Sequence, residues 1–121
     1  MELLTDISIV LNTLKKIRFL ISDEKALQTE IEKSLNGSGV DFVREFYFDN
    51  SKDHIDFMIA DTIGMEIKIK GSRKKIYEQC VRYCNHGRIT SFILVTNRSM
   101  GFPKEINGVP CYVLNLSKAW L

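Results

Sequence analysis

The residues of this chain best placed to do chemistry are Asp56 and, ten positions on, the triplet Glu66-Ile67-Lys68, all within HIDFMIADTIGMEIKIKGS. Each of these charges interrupts a segment whose other residues are mostly apolar and strand-like. A charge inside such a strand must face solvent or be held by partners, because burying it alone is costly. Two carboxylates with nearby main-chain carbonyls make an oxygen-rich site suited to Mg²⁺, which takes few protein ligands and keeps several waters. A divalent ion there polarises a phosphodiester and lowers the pKa of water. A lysine alongside can orient that water or stabilise charge developing on the phosphate oxygens. The chemistry implied by these residue types is metal-assisted phosphodiester hydrolysis.

The geometry follows from strand alternation, which puts every second side chain on one face. Along residues 63–70, Met65, Ile67 and Ile69 share one face, while Glu66, Lys68 and Lys70 share the other. Along residues 54–60, Ile55, Phe57 and Ile59 share a face, leaving Asp56 opposite with Met58. If the two strands form a hairpin, both apolar sets must point to the same side. That parity requires an odd-length loop such as Ala60-Asp61-Thr62, and it sets Asp56 directly opposite Glu66.

The elements that must hold this hairpin are legible from periodicity. Leu3, Ile7, Val10, Leu14, Ile17 and Ile21 recur every three or four residues, predicting an amphipathic helix over 2–21. Lys15, Lys16 and Arg18 gather near its end, where cations suit the helix dipole. A second helix, capped by Ser22 or Asp23, runs to about Leu35 and stops at Asn36-Gly37-Ser38-Gly39. On it Leu27, Ile31 and Leu35 define an apolar stripe that contains Glu24, with Gln28 beside it and Glu30 pointing away. An acid in that stripe needs a partner, which a metal or the lysine would supply; its place also suits a helix N-terminus.

Residues 40–48 read as a strand, followed by the turn Asp49-Asn50-Ser51. After the hairpin, Gly71-Ser72 opens a helix to about Asn85, ended near Gly87. Ile76, Gln79, Cys80 and Tyr83 share one of its faces, so Gln79 and Tyr83 are expected to look inward. Arg73, Lys74, Lys75 and Arg82 enrich the same segment in cations, which suit phosphates or plain solvated surface. Ser91–Thr96 is short and apolar, as expected of a central strand. A loop around 101–103, a strand over Val109–Leu114 and a helical turn over Ser117–Leu121 complete the chain. The order α-α-β-β-β-α-β-β-(α) predicts an α/β fold, a mixed sheet with helices on its faces.

Bulk properties narrow the class. At 121 residues the chain is expected to be one domain with a single core, 1–121. Hydrophobic residues at 45% and charged residues at 26% fit a globular rather than a disordered chain. The net charge of +2 neither requires nor excludes a nucleic-acid partner, so basic surface must come from local clustering. No apolar run approaches the ~18–20 residues of a membrane helix, and MELLTDIS does not read as a secretory signal. Three cysteines, an odd number, suit a reducing cytoplasm better than a disulfide framework. Cys80 and Cys84, a helical turn apart with His86 nearby, lack a second ligand pair of zinc-like spacing and read as buried thiols.

Taken together, these residues resemble the PD-(D/E)xK nuclease superfamily, in its RecB-like and Holliday-junction-resolvase-like branches. The matching pieces are Glu24 at a helix start, Ile55-Asp56-Phe57, Glu66-Ile67-Lys68, and Gln79-Cys80-Val81-Arg82-Tyr83 as the QxxxY element. The proline usual before the first acid is missing, and Ile55 stands there. The resemblance covers residues 23–96 and implies a restriction-endonuclease-like core, α-β-β-β-α-β, with an extra N-terminal helix (1–21) and a C-terminal extension (97–121) carrying a strand. It implies Asp56 and Glu66 as metal ligands, joined by the Ile67 carbonyl, with Glu24 as an auxiliary acid near the metal. It makes Lys68 the catalytic lysine and Gln79 a positioning residue.

The function expected on this reading is a Mg²⁺-dependent DNA nuclease, with Mn²⁺ able to substitute, that is weakly sequence-specific or structure-selective. Lys70, Ser72, Arg73, Lys74, Arg82 and Tyr83 are the expected DNA contacts. The apolar N-terminal helix or the C-terminal segment, Trp120 and Leu121 included, could build a homodimer. Two other readings stand beside this one: a non-catalytic nucleic-acid- or partner-binding domain on the same scaffold, and a nuclease subunit active only in a larger complex.

Overall fold

The computed structural model describes residues 2–16, 23–49 and 52–116. The two leading apolar stripes form helices α1 (Glu2–Lys15) and α2 (Glu24–Asn36). The first helix ends at Lys15, short of the expected Ile21, and residues 17–22 lie outside the described residues. Asp23 caps α2 by accepting a hydrogen bond from Ala26 N at 2.8 Å, satisfying one of the donors a helix start leaves unpaired. The expected strands appear as β1 (Phe42–Tyr47), β2 (His54–Ile59) and β3 (Ile63–Lys68). Ser72 caps α3 (Arg73–Cys84), and β4 (Ser91–Thr96) is buried along its whole length.

Two strands close the chain where one was expected. β5 (Glu105–Ile106) turns into β6 (Val109–Asn115) through Asn107 and Gly108, both at positive φ (+51° and +81°). A two-residue Asn-Gly turn of this conformation matches the right-handed twist of a hairpin, and NG between EI and VP is its signal in the sequence. The helical turn expected over Ser117–Leu121, and with it Trp120, lies outside the described residues.

The protein is thus a mixed α/β fold with a six-stranded sheet in the order β1-β2-β3-β4-β6-β5. β1, β2 and β3 run antiparallel, while β3, β4 and β6 run parallel. The first β3–β4 parallel step is bridged by α3, since parallel neighbours need a crossover. One face of the sheet packs against α1 and α2 through Val10, Leu27, Ile31, Phe57, Met65 and Ile93. The other packs against α3 through Ile55, Met58, Ile76, Tyr83, Phe92 and Leu94. Among the described residues no helix is long and apolar enough to cross a membrane.

One expected alternation fails. Phe57 and Ile59 lie under α1 and α2, but Ile55 lies under α3. The break coincides with an exception in the neighbouring strand, where Glu45 has φ +57°. The β1–β2 register keeps its count on both sides, Arg44↔Phe57 and Phe46↔Ile55, so no residue is inserted. The hairpin instead rotates at the row of Glu45 and Asp56. Phe42 accordingly packs with the first cluster and Phe46 with the second.

Gly64 is the glycine with the least room for a side chain. A Cβ there would lie 2.5 Å from Ile89 Cδ1 and 2.9 Å from Ile55 Cδ1. Gly64→Ala is expected to lower stability by about 1–3 kcal/mol through overpacking, measured by urea unfolding. Adding Ile89→Val, which removes the nearer methyl, should recover part of that loss; no recovery would mean the strain is carried elsewhere.

Candidate active site

From the three-residue loop 60–62 the β2–β3 ladder runs through Ile59↔Ile63 and Met58↔Gly64 to Phe57↔Met65. The next row sets Asp56 opposite Glu66, as the parity argument expects. There the side chains of the two acids take over from main-chain pairing. Asp56 N–H donates to Glu66 Oε1 at 3.0 Å, and Ile67 N–H donates to Asp56 Oδ2 at 2.8 Å. Each strand therefore lends a carboxylate to the other strand's main chain.

The second oxygen of Glu66 is held from α3. Tyr83 Oη donates to Glu66 Oε2 at 3.2 Å, and Gln79 Nε2 lies 3.2 Å from the same oxygen. Gln79 Nε2 also donates to Tyr83 Oη at 2.6 Å, so the amide and phenol orient one another. Lys68 Nζ stands 3.8 Å from Glu66 Oε2, a charge contact longer than a hydrogen bond. Its side chain is 25% exposed against 4% for Glu66, so the ammonium is the group through which the buried acid meets solvent.

Burial decides the electrostatics of the pair. It pushes the Glu66 carboxyl up to about 8, helped by repulsion from Asp56, against the lowering pull of the Asp56 N–H and Lys68. Asp56 is also raised, first by burial, while the Ile67 N–H and Lys68 pull it down and the Glu24 charge adds to the rise. Two acids this close share their protons as a pair. With one lysine at charge distance, the pair is short of positive charge only when both acids are ionised. Tyr83 is pushed well up by burial and by Glu66, which keeps its hydroxyl as a donor to that carboxylate.

Glu24 enters from α2, where its Oε1 accepts from Ile69 N at 3.0 Å. Its carboxylate therefore fixes the chain just past β3, one residue beyond Lys68. Among the described residues no three His, Cys, Asp or Glu side chains gather closely enough to hold a metal, so Glu24 does not join Asp56 and Glu66 in one group. Ile67 gives its N–H to Asp56 and is paired in register with Val95. Lys70, Ser72, Arg73 and Lys74 are exposed around the start of α3, where Ser72 Oγ accepts from Lys75 N.

Two expected DNA contacts sit differently. Tyr83 is only 1% exposed and faces Glu66, which puts it in the support of the acid rather than on a DNA-facing surface. Arg82 is engaged with Asp53, its Nε lying 2.9 Å from both carboxylate oxygens.

Asp53 itself was not foreseen. His86 Nε2 bonds its Oδ2 at 3.0 Å, and the His86 ring stacks on Phe48 at 4.1 Å. The hydrogen bond from His86, and then those from Arg82, hold the Asp53 carboxyl below its usual range. This cluster ties the β1–β2 connection to the end of α3; in the sequence Asp53 looks like any turn aspartate. The Cys84 thiol meets Cys111 of β6, so the helical cysteines pack against a strand. Comparison with protein-family models, with curated proteins and with solved structures returned no match.

The raised pair has a consequence for stability. The folded state favours the protonated Glu66 carboxyl relative to the unfolded chain, so its contribution is full below the ordinary value of 4.5 and is lost as pH rises through about 8. Asp56 shifts in the same direction. In buffer with EDTA the melting temperature should therefore fall as pH climbs across that window. Glu66→Gln, neutral at every pH, should flatten the fall; an unchanged slope in that variant would place its origin elsewhere.

Proposed function

We propose that this chain is a divalent-cation-dependent deoxyribonuclease of the PD-(D/E)xK kind, with α2-β1-β2-β3-α3-β4 as a restriction-endonuclease-like core. The observation that carries the reading is the reciprocal Asp56–Glu66 clasp with Lys68 beside it. A structural hairpin gains little from setting a buried Glu66 against a half-buried Asp56, whose charge raises the cost of ionising Glu66. A site for a dication gains more.

The donor set fits Mg²⁺ or Mn²⁺, which bind through one or two carboxylates and keep much of their water. Asp56 and Glu66 would hold the ion, with the Ile67 main-chain carbonyl as a further oxygen. When bound, it supplies Lewis acidity toward the scissile phosphate and lowers the pKa of water. The protein's own groups do the rest. Lys68 presents its ammonium to phosphate oxygens as charge develops on them. Gln79 and Tyr83 lock the orientation of Glu66, and Glu24 fixes the chain just past Lys68 through Ile69. Lys70, Ser72, Arg73 and Lys74 are placed to contact backbone phosphates, which position a duplex without reading its sequence. A domain this small has little surface for base readout, which favours weak or structure-selective cleavage.

Linear, single-stranded, branched and supercoiled DNA incubated with Mg²⁺ or Mn²⁺ tests the reading. Lys68→Ala should reduce cutting by about 10²–10³-fold while keeping the wild-type circular dichroism. Equal cutting by both proteins would sink the assignment, and tight binding without cutting would support a binding module instead. A separate readout uses no DNA: Mg²⁺ should raise the melting temperature of the wild type and leave that of Asp56→Asn unmoved.

A further inference from the structure

A cavity of about 530 Å³ opens where β4 and β6 end, against the last turn of α1. Lys15 and Arg98 line it with Ser99 and Asn115, and Met100 and Val113 form its apolar wall. No acid lines it. Among the described residues neither Lys15 nor Arg98 takes part in an ion pair.

Arg98 is set in place at three points. Its N–H donates to Thr96 Oγ1 at 3.1 Å, its carbonyl accepts from Asn115 Nδ2 at 3.1 Å, and its Nη1 donates to Gly71 O at 2.5 Å. The last bond spans from the end of β4 to the β3–α3 connection. Most of the fork's N–H groups remain for a ligand, since a guanidinium carries five. A rigidly held arginine with no acid partner is what planar, bidentate phosphate recognition requires.

The cavity lies at the same end of the sheet as Lys68. Lys68, Thr96 and Asn115 fall in one row of the parallel register. Two strand spacings separate Lys68 from Asn115, roughly 10 Å. Measured along the axis of a duplex, that distance corresponds to about three nucleotides of one strand. Arg98, bonded to Gly71 O, stands between the two places. The C-terminal end of the α1 dipole opposes an anion with about half a charge, which two full cations outweigh.

We infer that this cavity is a second phosphate subsite, at which Arg98 and Lys15 hold the backbone of the DNA strand that runs to Lys68. The inference rests on the nuclease reading for its choice of DNA as ligand. Fluorescence anisotropy of labelled duplex and single-stranded DNA in EDTA, across a salt series, measures binding without cleavage. Arg98→Gln with Lys15→Gln should weaken binding about tenfold near 0.1 M salt and reduce the slope of log K against log salt by about 2. Lys33→Gln with Lys104→Gln, two exposed lysines outside the cavity, serves as the charge-matched control and should change binding by less than the Arg98 and Lys15 double variant.

A double variant that binds DNA as the control does would overturn the inference, and so would a wild type that binds no DNA. Cleavage that depends on Lys68 together with unaltered binding would remove the subsite and leave the nuclease reading standing. Binding that depends on Arg98 and Lys15 in a protein that never cuts would do the reverse.

Discussion

The arrangement around which this fold is organised is the exchange of carboxylates between β2 and β3. Asp56 and Glu66 stand where the antiparallel ladder would otherwise continue, and each satisfies a main-chain N–H of the facing strand. Buried N–H groups must find partners, so the ladder can be interrupted there only because the acids replace it. The same exchange fixes both carboxylates without using up either side chain: one oxygen of each is taken by main chain. Lys68, two residues past Glu66, is then placed by strand alternation alone.

Other elements act on this row from three sides. α3 brings Gln79 and Tyr83 to the second oxygen of Glu66. α2 brings Glu24 to Ile69 N, and its rotation is set by Arg44 of β1, which bonds Gln28, Thr29 and Glu32 along the helix. The β1–β2 connection is tied to α3 by Asp53, Arg82 and His86. Desolvation would by itself favour neutral acids, and the surrounding donors do not reverse that for Glu66, whose carboxyl stays near 8. The supports orient the acid pair more than they stabilise its charge. Ionising both acids together would need a further cation, and that consideration leads to the metal proposal.

Much of this was legible in the chain itself. Hairpin parity with a three-residue loop placed Asp56 opposite Glu66, because Phe57 and Ile59 had to share a face with Met65 and Ile67, although Ile55 departs from it. Helical phase turned Glu24, Gln79 and Tyr83 inward for the same reason: the apolar stripes of α2 and α3 each include those positions. Parity and phase carry no information about contacts between distant elements. Asp53 with His86, Arg98 with Gly71 and Cys84 with Cys111 depend on how the loops and strands meet, and each of those residues is ordinary in its local sequence. The short β5 was missed for a different reason. Its two residues are too few for a period, although the Asn-Gly turn beside it was a readable signal.

Several exceptions to local rules outside the turns fall in one row of the sheet. Glu45 adopts φ +57°, a region that costs a non-glycine residue of order 1 kcal/mol or more. Opposite it, the alternation of β2 breaks at Asp56, and beside that the β2–β3 ladder stops and an acid is buried. Ile55 and Phe57 point to different faces because of the same rotation. Had the row served stability alone, an apolar pair at 56 and 66 with continuous pairing would have met every local preference at once. Foldable sequences are consistent across levels, and departures that cluster mark places where another requirement is imposed. Here the rotation at Glu45 lets Asp56 turn toward β3 and reach Ile67 N, instead of standing out from a sheet face. The strain in β1 and the acid pair in β2 and β3 thus share one row, which supports reading the row as a reactive centre rather than as a tolerated defect.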